Sequence, residues 1–270
     1  MTKVYEVIER SGRRSRPVVL TEAFDRERAG RETILNIEEK RRKGPEVLTE
    51  TEPRRVSRQA PTLNIDEIML GLYQSIKSCL PDMTHRVIQF VGSRKGEGTS
   101  TLVREFARVI VAKEGKSILV LDADRVNPTQ LRFFNTQPPH TLAEVFKDDE
   151  FMDSAICRVG DSNLWVGLVS ASPEAESEVV ESPYFDRAWN ALLQRFDLVL
   201  IDSPPVTTFA DNIVMARKSD GIIVVVEAEK TRWPVINSVK ERLTENGGNV
   251  LGVLLNKRQY YIPEWVYSRL

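Results

Sequence analysis

The stretch FVGSRKGEGTSTLVREFARVI, residues 90–110, passes from an apolar strand pattern through a glycine-rich turn into a helix pattern. Glycines at 96 and 98 allow the backbone to turn its N–H groups toward an anion, and a helix that starts near Thr99 directs its positive end to the same place. Ser100 stands where a phosphate-binding loop places the hydroxyl that ligates Mg²⁺. The alternative is a tight turn that caps a helix and binds nothing.

The charge of this loop is unusual. Thr99 occupies the position at which such a loop carries the lysine that bridges the outer phosphates. Arg94 and Lys95 lie a few residues earlier and could supply positive charge from another part of the loop. We therefore assign the following residues to a candidate nucleotide-binding loop: Arg94, Lys95, Gly96, Glu97, Gly98, Thr99, Ser100 and Thr101.

Beyond residue 62, short apolar runs alternate with segments of helical periodicity. The strand patterns lie at 86–92, 117–123, 163–169, 197–203, 221–227 and 249–255. The helix patterns lie at 66–80, 99–114, 183–195, 210–218 and 233–246. Nearly continuous apolar strands are typical of a sheet buried on both faces, and the alternation predicts an α/β fold with a doubly wound, mostly parallel sheet. The glycine-rich loop after the first strand resembles that of folds of P-loop NTPase type. In such sheets ligands bind at the carboxyl ends of the strands.

Two of these strand ends are acidic. LVLDADRVNP at 119–128 places Asp122 and Asp124 two residues apart, so that both side chains point the same way if the strand continues. In LVLIDSPP at 198–205, Asp202 ends the apolar strand. Carboxylates that face a phosphate loop can hold a divalent cation between themselves and a nucleotide. Each motif alone could be an exposed turn or a helix cap. Together with the loop they indicate a site of nucleotide type by descent, working or not.

Composition bounds the remaining possibilities. The chain of 270 residues has 29% charged residues and two cysteines, and no apolar run approaches the ~20 residues that span a bilayer. We expect a cytoplasmic protein with a flexible, charged arm at 1–61, one short helix near residues 3–10, and a domain at 62–270. Residues 1–60 carry 15 basic and 11 acidic side chains. An arm of mixed charge is expected to be a solvated tail rather than a nucleic-acid or membrane contact.

With these motifs in order, residues 62–270 resemble the bacterial tyrosine kinases of capsule and exopolysaccharide synthesis, a branch of the ParA/MinD-type ATPases. SRKGEGTST resembles a degenerate Walker A loop, and LVLIDSPP resembles Walker B. The resemblance implies ATP or ADP with Mg²⁺. It implies that Ser100, Asp122 and Asp202 hold the metal, that Asp122, Asp124 and Asp202 serve catalysis, and that Asn256 in LLNK contacts adenine. It also implies a membrane polysaccharide co-polymerase as partner, which would hold the protein at the inner face of the membrane, and a homo-oligomer; no nucleic acid is expected.

The sequence also departs from this family. Besides Thr99, the arginine expected two residues after Asp124 is replaced by Val126. The ring-building pattern E-x-x-R-x-x-R is reduced to Glu67, with Leu70 and Tyr73 in place of the arginines. We therefore expect a kinase-like regulator, a pseudokinase, that binds nucleotide weakly or not at all. The alternatives are an active autophosphorylating tyrosine kinase and a ParA/MinD-type positioning ATPase.

The carboxyl-terminal tail, YYIPEWVYSRL at 260–270, differs from the flexible tyrosine cluster of these kinases. It mixes tyrosines with Ile262, Pro263 and Trp265, and an apolar segment of this kind favours packing on its own domain. We expect this tail to be a structural or docking element.

Limited proteolysis tests the proposed boundary. Proteases cut exposed, unpacked chain first, so a brief digest should remove the arm and leave a resistant core of roughly 200 residues that begins near Thr62. Mass spectrometry of the core gives the boundary directly. Early cleavage inside the predicted strands would contradict it.

Overall fold

The computed structural model describes residues 2–7, 65–80, 82, 85–125, 127–145, 153–170, 183–206 and 212–259. The strands are β1 (Thr2–Val7), β2 (Arg86–Gly92), β3 (Ile118–Asp122), β4 (Ile156–Arg158), β5 (Leu164–Leu168), β6 (Leu198–Ser203), β7 (Gly221–Glu227) and β8 (Val250–Gln259). The helices are α1 (Ile65–Cys79), α2 (Thr99–Glu114), α3 (Gln130–Phe134), α4 (Leu142–Val145), α5 (Pro183–Arg195), α6 (Asn212–Arg217) and α7 (Trp233–Glu245).

Within the described residues the strands form one sheet in the order β1-β8-β7-β2-β6-β3-β5-β4. The six strands from β8 to β5 are parallel, whereas β1 and β4 pair antiparallel at the two edges. The predicted doubly wound, mostly parallel sheet is confirmed. All six predicted strands are present, and the five predicted helices begin and end within about two residues of the expected positions.

The sheet is buried on both faces, because successive side chains of a strand point to opposite sides. Ile88 and Phe90 of β2 belong to the core cluster that α1 and α2 cover. Val87 packs in a second cluster with residues of α5. The third cluster lies under α7 and includes Val91. This double coverage explains why the strands read as continuous apolar runs.

Helix α2 carries the glycine-rich loop at its start. Leu102, Phe106 and Ile110 recur at four-residue spacing, and all are fully buried against the sheet. The ring of Phe106 lies 5.6 Å from that of Phe90 and 6.3 Å from that of Tyr73. The helix begins after Gly98, whose φ is 89°, so its first turn is fixed relative to the loop. The packing of α2 therefore sets the position of the loop.

The structure differs from the sequence-based expectations at the edges of the sheet. The short helix expected near residues 3–10 is wrong, because Thr2–Val7 forms a strand that pairs with β8. The stretch TKVYEV is rich in residues that favour strands, and an unpaired β8 edge offers it hydrogen-bond partners. The short edge strand β4 and the helices α3 and α4 had not been predicted.

Several expectations fall outside the described residues. They concern most of the arm with its boundary at 62, position 126, and the tail at 260–270. The division into an arm and a domain stays a prediction. In the part of the chain that the structure describes, no helix combines the length and the apolar character that a membrane crossing requires.

Candidate nucleotide-binding site

A cleft of about 420 Å³ lies at the carboxyl ends of the parallel strands, as the fold predicts. This volume is within the range of ordinary small-molecule sites. The glycine-rich loop, the ends of β6 and β8 and the loop after β3 meet there. Its lining comprises Arg94, Lys95, Gly96, Glu97, Gly98, Thr99, Ser100, Thr101, Arg104, Asp124, Asn127, Thr129, Asp202, Ser203, Pro204, Pro205, Asn256 and Lys257.

The Glu97 side chain holds the loop from within the protein. Its carboxylate is buried and accepts hydrogen bonds from Ser93 Oγ at 2.7 Å, from the Arg94 backbone N–H at 2.7 Å and from Thr231 Oγ1 at 2.7 Å. Charge-assisted bonds of this kind are stronger than neutral ones. The carboxylate therefore ties the loop to itself and to the segment after β7, and Glu97 can face a ligand only with its backbone.

The other side of the loop is held by β8. Asn256 Nδ2 donates to the Glu97 carbonyl at 2.8 Å, and Lys257 Nζ donates to the Gly96 carbonyl. The carbonyl and the N–H of a trans peptide unit point in opposite directions. Since these two carbonyls point toward β8, the N–H groups of Glu97 and Gly98 point away from it. These amides are therefore not used by β8 and can bind an anion at the glycine-rich loop.

Glycine is required at position 98 for a further reason. A Cβ on this residue would lie 2.4 Å from Asn256 Nδ2, and φ is in the left-handed region. Any side chain here would both strain the backbone and displace the amide of Asn256. Gly96, with φ of 90°, has nothing within 4 Å of its Cβ position, so only its backbone conformation demands glycine.

Thr99 does not supply the missing charge. Its Oγ1 lies 3.0 Å from the position that a Cβ on Gly92 would occupy, so the hydroxyl folds back toward the end of β2. Arg94 and Lys95 line the cleft and are exposed. The positive charge of the loop therefore lies on exposed side chains rather than at position 99.

The two acidic motifs are brought together by the register of the sheet. Asp122 on β3 and Asp202 on β6 are direct Cα partners in a parallel pair. Both are buried, and burial followed by repulsion from Asp122 raises the pKa of Asp202 to about 7. Burial raises the pKa of Asp122 to about 6, although hydrogen bonds from the backbone of Gln130 and Asp124 oppose the shift.

The two carboxylates have different surroundings. Asp122 accepts the N–H of Asp124 at 3.0 Å on one oxygen and the N–H of Gln130 at 2.8 Å on the other, so it organises the loop after β3. Asp202 lines the cleft, and its Oδ1 has no hydrogen-bond partner among the described residues. A buried carboxylate oxygen without a partner is expected where a cation or a proton is to be held.

The expected alignment of Asp122 with Asp124 does not arise from strand periodicity. β3 ends at Asp122, and Asp124 lies in the following loop, where it lines the cleft and accepts the Asn127 N–H at 3.0 Å. The period of two therefore does not extend to this pair. Asp124 still reaches the site because the loop turns it there.

Gln130, which sequence analysis did not single out, is central to the site. It is fully buried, and its Nε2 donates to Asp202 Oδ2 at 2.6 Å and to the Ser100 carbonyl at 3.0 Å. It thereby links the carboxylate to the first turn of α2. The only local signal was a polar residue in the apolar-patterned stretch QLRFF.

Arg104 places a further cation beside the carboxylates. It lies one turn into α2, its guanidinium carbon is 4.3 Å from the centroid of the exposed Phe133 ring, and it lines the cleft. Burial lowers the pKa of Arg104, and attraction to Asp202 opposes this shift. The guanidinium stays charged under ordinary conditions.

The residues present fit a bound Mg²⁺. Ser100 and Asp202 both line the cleft, and Asp202 Oδ1 has no hydrogen-bond partner among the described residues, so both side chains can coordinate the cation. No cluster of three or more His, Cys, Asp or Glu residues is found within the described ranges. Mg²⁺ does not need one, because it binds through one or two carboxylates together with water and phosphate oxygens.

The structure thus assembles every predicted site residue near one cleft, although Asp122 itself is not in its lining. Their roles toward a nucleotide stay predictions, including the adenine contact of Asn256. Gln130, Arg104 and Lys257 are additions. The residue pair NK at the end of an apolar strand could have drawn attention to Lys257.

The fold and the cleft together define an α/β domain of P-loop NTPase type. The family model for an AAA domain matches residues 85–243, which is more than half of the chain, and the protein belongs to this family. The resemblance to bacterial tyrosine kinases is also confirmed by the relatives.

Two of these relatives are streptococcal tyrosine-protein kinases named CpsD. The protein from Streptococcus agalactiae serotype III (strain NEM316) is 26% identical over 174 residues, or 64% of this chain and 75% of the relative. The protein from Streptococcus pneumoniae serotype 4 (strain ATCC BAA-334 / TIGR4) is 29% identical over 176 residues, or 64% of this chain and 76% of the relative.

Several solved structures share the fold of this chain. The chimerical protein CapA2B2 has a TM-score of 0.62 and 26% identity, covering 72% of this chain and 84% of that one. The kinase domain of the Escherichia coli tyrosine kinase ETK has a TM-score of 0.65 at 18% identity, covering 78% and 86%. A Mycobacterium smegmatis cobyrinic acid a,c-diamide synthase, solved with an ATP analogue and magnesium, shares the fold at a TM-score of 0.51 and 20% identity over 62% and 71%.

The buried carboxylate predicts an unusual pH dependence of stability. Asp202 binds its proton more tightly in the folded than in the unfolded chain, so this group makes the free energy of unfolding fall as pH rises from about 4 to about 7. Asp202→Asn cannot ionise. The ligand-free variant should melt several degrees above wild type at pH 8, and by less at pH 5, because about 1.4 kcal/mol accompanies each pKa unit.

Scanning calorimetry without Mg²⁺ at the two pH values measures this difference. Asp186→Asn is the matched control, since that carboxylate is 71% exposed and forms an ion pair with Lys218. It should show no gain that depends on pH. An Asp202→Asn variant that is no more stable than wild type at pH 8 would contradict the assignment.

Proposed function

We propose that this protein is a kinase-like regulator of capsular or exopolysaccharide synthesis and export. It binds Mg·ATP or Mg·ADP weakly and acts by association with a membrane polysaccharide co-polymerase rather than by phosphoryl transfer. The observation that carries the proposal is Thr99. A loop whose backbone is otherwise shaped for phosphate has a short, neutral side chain where the bridging cation belongs.

The loss concerns charge rather than shape. The Glu97, Asn256 and Lys257 contacts hold the loop, and the helix terminus and the amides need no lysine to attract an anion. Removing one charge-assisted contact weakens binding by about 1.5–3 kcal/mol, or about ten- to a hundredfold. Phosphoryl transfer suffers more, since that cation also stabilises the charge of the transition state. Weak binding without efficient catalysis follows.

An active, autophosphorylating tyrosine kinase is the second candidate. Arg94 and Lys95 line the cleft and are exposed, so either side chain can move without breaking a buried contact. In this reading one of them takes the place of the missing lysine. The family membership and the retained carboxylates support both candidates equally, and the nucleotide experiments below separate them.

The packing of α1 bears on assembly. Positions 70 and 73, where the resembling kinases carry ring-building arginines, are Leu70 and Tyr73 here. Leu70 packs on the core, and Tyr73 is buried against Phe106. These side chains stabilise the domain and offer no cation to a neighbouring copy. A regulator that works through a partner at the inner face of the membrane does not need the ring in which such kinases present their tails to one another.

Thr99→Lys tests the proposal most directly. Because the loop shape is already present, the new ammonium should tighten Mg·ADP and Mg·ATP binding by about ten- to a hundredfold. Isothermal titration calorimetry with and without Mg²⁺ gives the dissociation constants. Thr99→Met is the matched control, since it adds length without charge and should leave affinity near that of wild type. Micromolar binding by wild type that Thr99→Lys leaves unchanged would show that another cation already fills the role.

We further expect that the carboxyl-terminal tyrosines are not autophosphorylated. Tyr260 and Tyr261 follow directly on β8, which ends at Gln259, so their reach is short. Apolar neighbours such as Trp265 favour a packed tail, because burial of each stabilises by roughly 1.5–3 kcal/mol. Mass spectrometry after incubation with Mg·ATP should find no phosphotyrosine at 260, 261 or 267. Phosphotyrosine that disappears in Asp122→Ala would establish the active kinase instead.

A further inference from the structure

Lys257 has a backbone conformation that is unusual for its position. It lies inside β8, yet its φ is 58°, in the left-handed region that lysine rarely adopts. Against β1 the register runs from Lys3 opposite Arg258 to Tyr5 opposite Leu255. Two residues of β8, Asn256 and Lys257, therefore stand opposite one residue of β1. This is a β-bulge, a device that redirects side chains and is common next to binding sites.

The bulge directs both of its side chains at the glycine-rich loop. Asn256 Nδ2 binds the Glu97 carbonyl at 2.8 Å, and its Oδ1 accepts the Lys257 backbone N–H at 2.9 Å. Lys257 Nζ binds the Gly96 carbonyl, and its Cε lies 3.7 Å from the Cβ position of Gly98. A strained backbone at one residue of a strand persists when the surrounding contacts fix it. Here those contacts are with the loop.

From this arrangement we infer that Lys257 is the ammonium that positions the phosphate loop, and that it does so by binding a loop carbonyl rather than the phosphates. The inference rests on the proposed nucleotide site and deepens it. The loop has no lysine at position 99, and the ammonium that binds a loop carbonyl in the structure comes from β8. Lys257 binds one of them from β8 and leaves the amides of the same peptide units for the ligand.

The location of the charge gives this role a signature. Lys257 lines the cleft, but its Nζ contacts a carbonyl and the Glu227 carboxylate lies 3.9 Å away, so two protein acceptors hold the ammonium in the ligand-free protein. Its effect should reach the nucleotide through the shape of the cradle. A side chain that bridged the outer phosphates would instead favour ATP over ADP. Lys257 is thus expected to act on both nucleotides equally, unlike a lysine at position 99.

Lys257→Met separates the ammonium from the side-chain stem, because methionine has a similar length, carries no charge and meets the same backbone strain. Lys113→Met is the matched control. Lys113 is 50% exposed against 42% for Lys257, and it pairs with Asp66 of α1. Lys113 lies at the far end of α2, roughly 20 Å along the helix from the loop. Lys257→Arg keeps the charge and should behave more like wild type than the methionine variant does.

The first measurement uses the full, ligand-free chain and does not depend on nucleotide. Hydrogen–deuterium exchange of the amides at residues 96–100 should become about three- to tenfold faster in Lys257→Met, and unchanged in Lys113→Met. The second measurement is calorimetric titration with Mg·ADP and with Mg·ATP. Both dissociation constants should rise by the same factor, again about three- to tenfold.

The outcomes distinguish the two levels of the argument. Faster loop exchange in a protein that binds no nucleotide, even as Thr99→Lys, would overturn the proposed function and leave the positioning role of Lys257 intact. Loop exchange and affinities equal to those of wild type in Lys257→Met would overturn the inference about Lys257. A loss of ATP affinity larger than that of ADP would also overturn it, because the ammonium would then contact the outer phosphates itself.

Discussion

The parallel register of the central strands is the constraint on which the site depends. Because Asp122 of β3 is paired directly with Asp202 of β6, the two carboxylates lie side by side at the carboxyl ends of these strands. The parallel pairing of β2 with β6 brings the start of the glycine-rich loop to the same end of the strands. Burial of both faces of these strands holds the register, since a shift by one residue would turn every apolar side chain to the wrong face.

Most of this architecture could be predicted from local pattern. The six apolar strands and α2 can be recognised from composition and periodicity. The carboxyl ends of these strands locate the cleft. The edge strands could not be predicted in the same way. β4 has only three residues, and β1 forms in a stretch that we had assigned to a helix, because its pairing with β8 lies far away in sequence. Tertiary contact decides the structure of such segments.

The residues of the site also divide into those that the local sequence reveals and those that only the fold brings together. The glycines and the aspartates carry their own signals, since few other roles need them at those positions. Gln130 and Lys257 do not, because their importance comes from a fold that brings each of them to a carboxylate or a carbonyl distant in sequence. The environment of Asp202 belongs to this group too. Its raised pKa arises from burial and from a neighbour on another strand, neither of which is visible in LVLIDSPP.

Shape and charge are held by different residues in this loop, so they can be changed separately. A side chain at Gly98 would collide with Asn256, and loss of the Glu97 carboxylate would remove four hydrogen bonds at once. Substitutions at these positions would therefore disturb the loop conformation, either by a steric clash or by the loss of hydrogen bonds. Position 99 is less constrained, since its hydroxyl approaches the end of β2 and, among the described residues, holds no part of the loop. The affinity of this site for its ligand can consequently change during evolution while the domain remains folded.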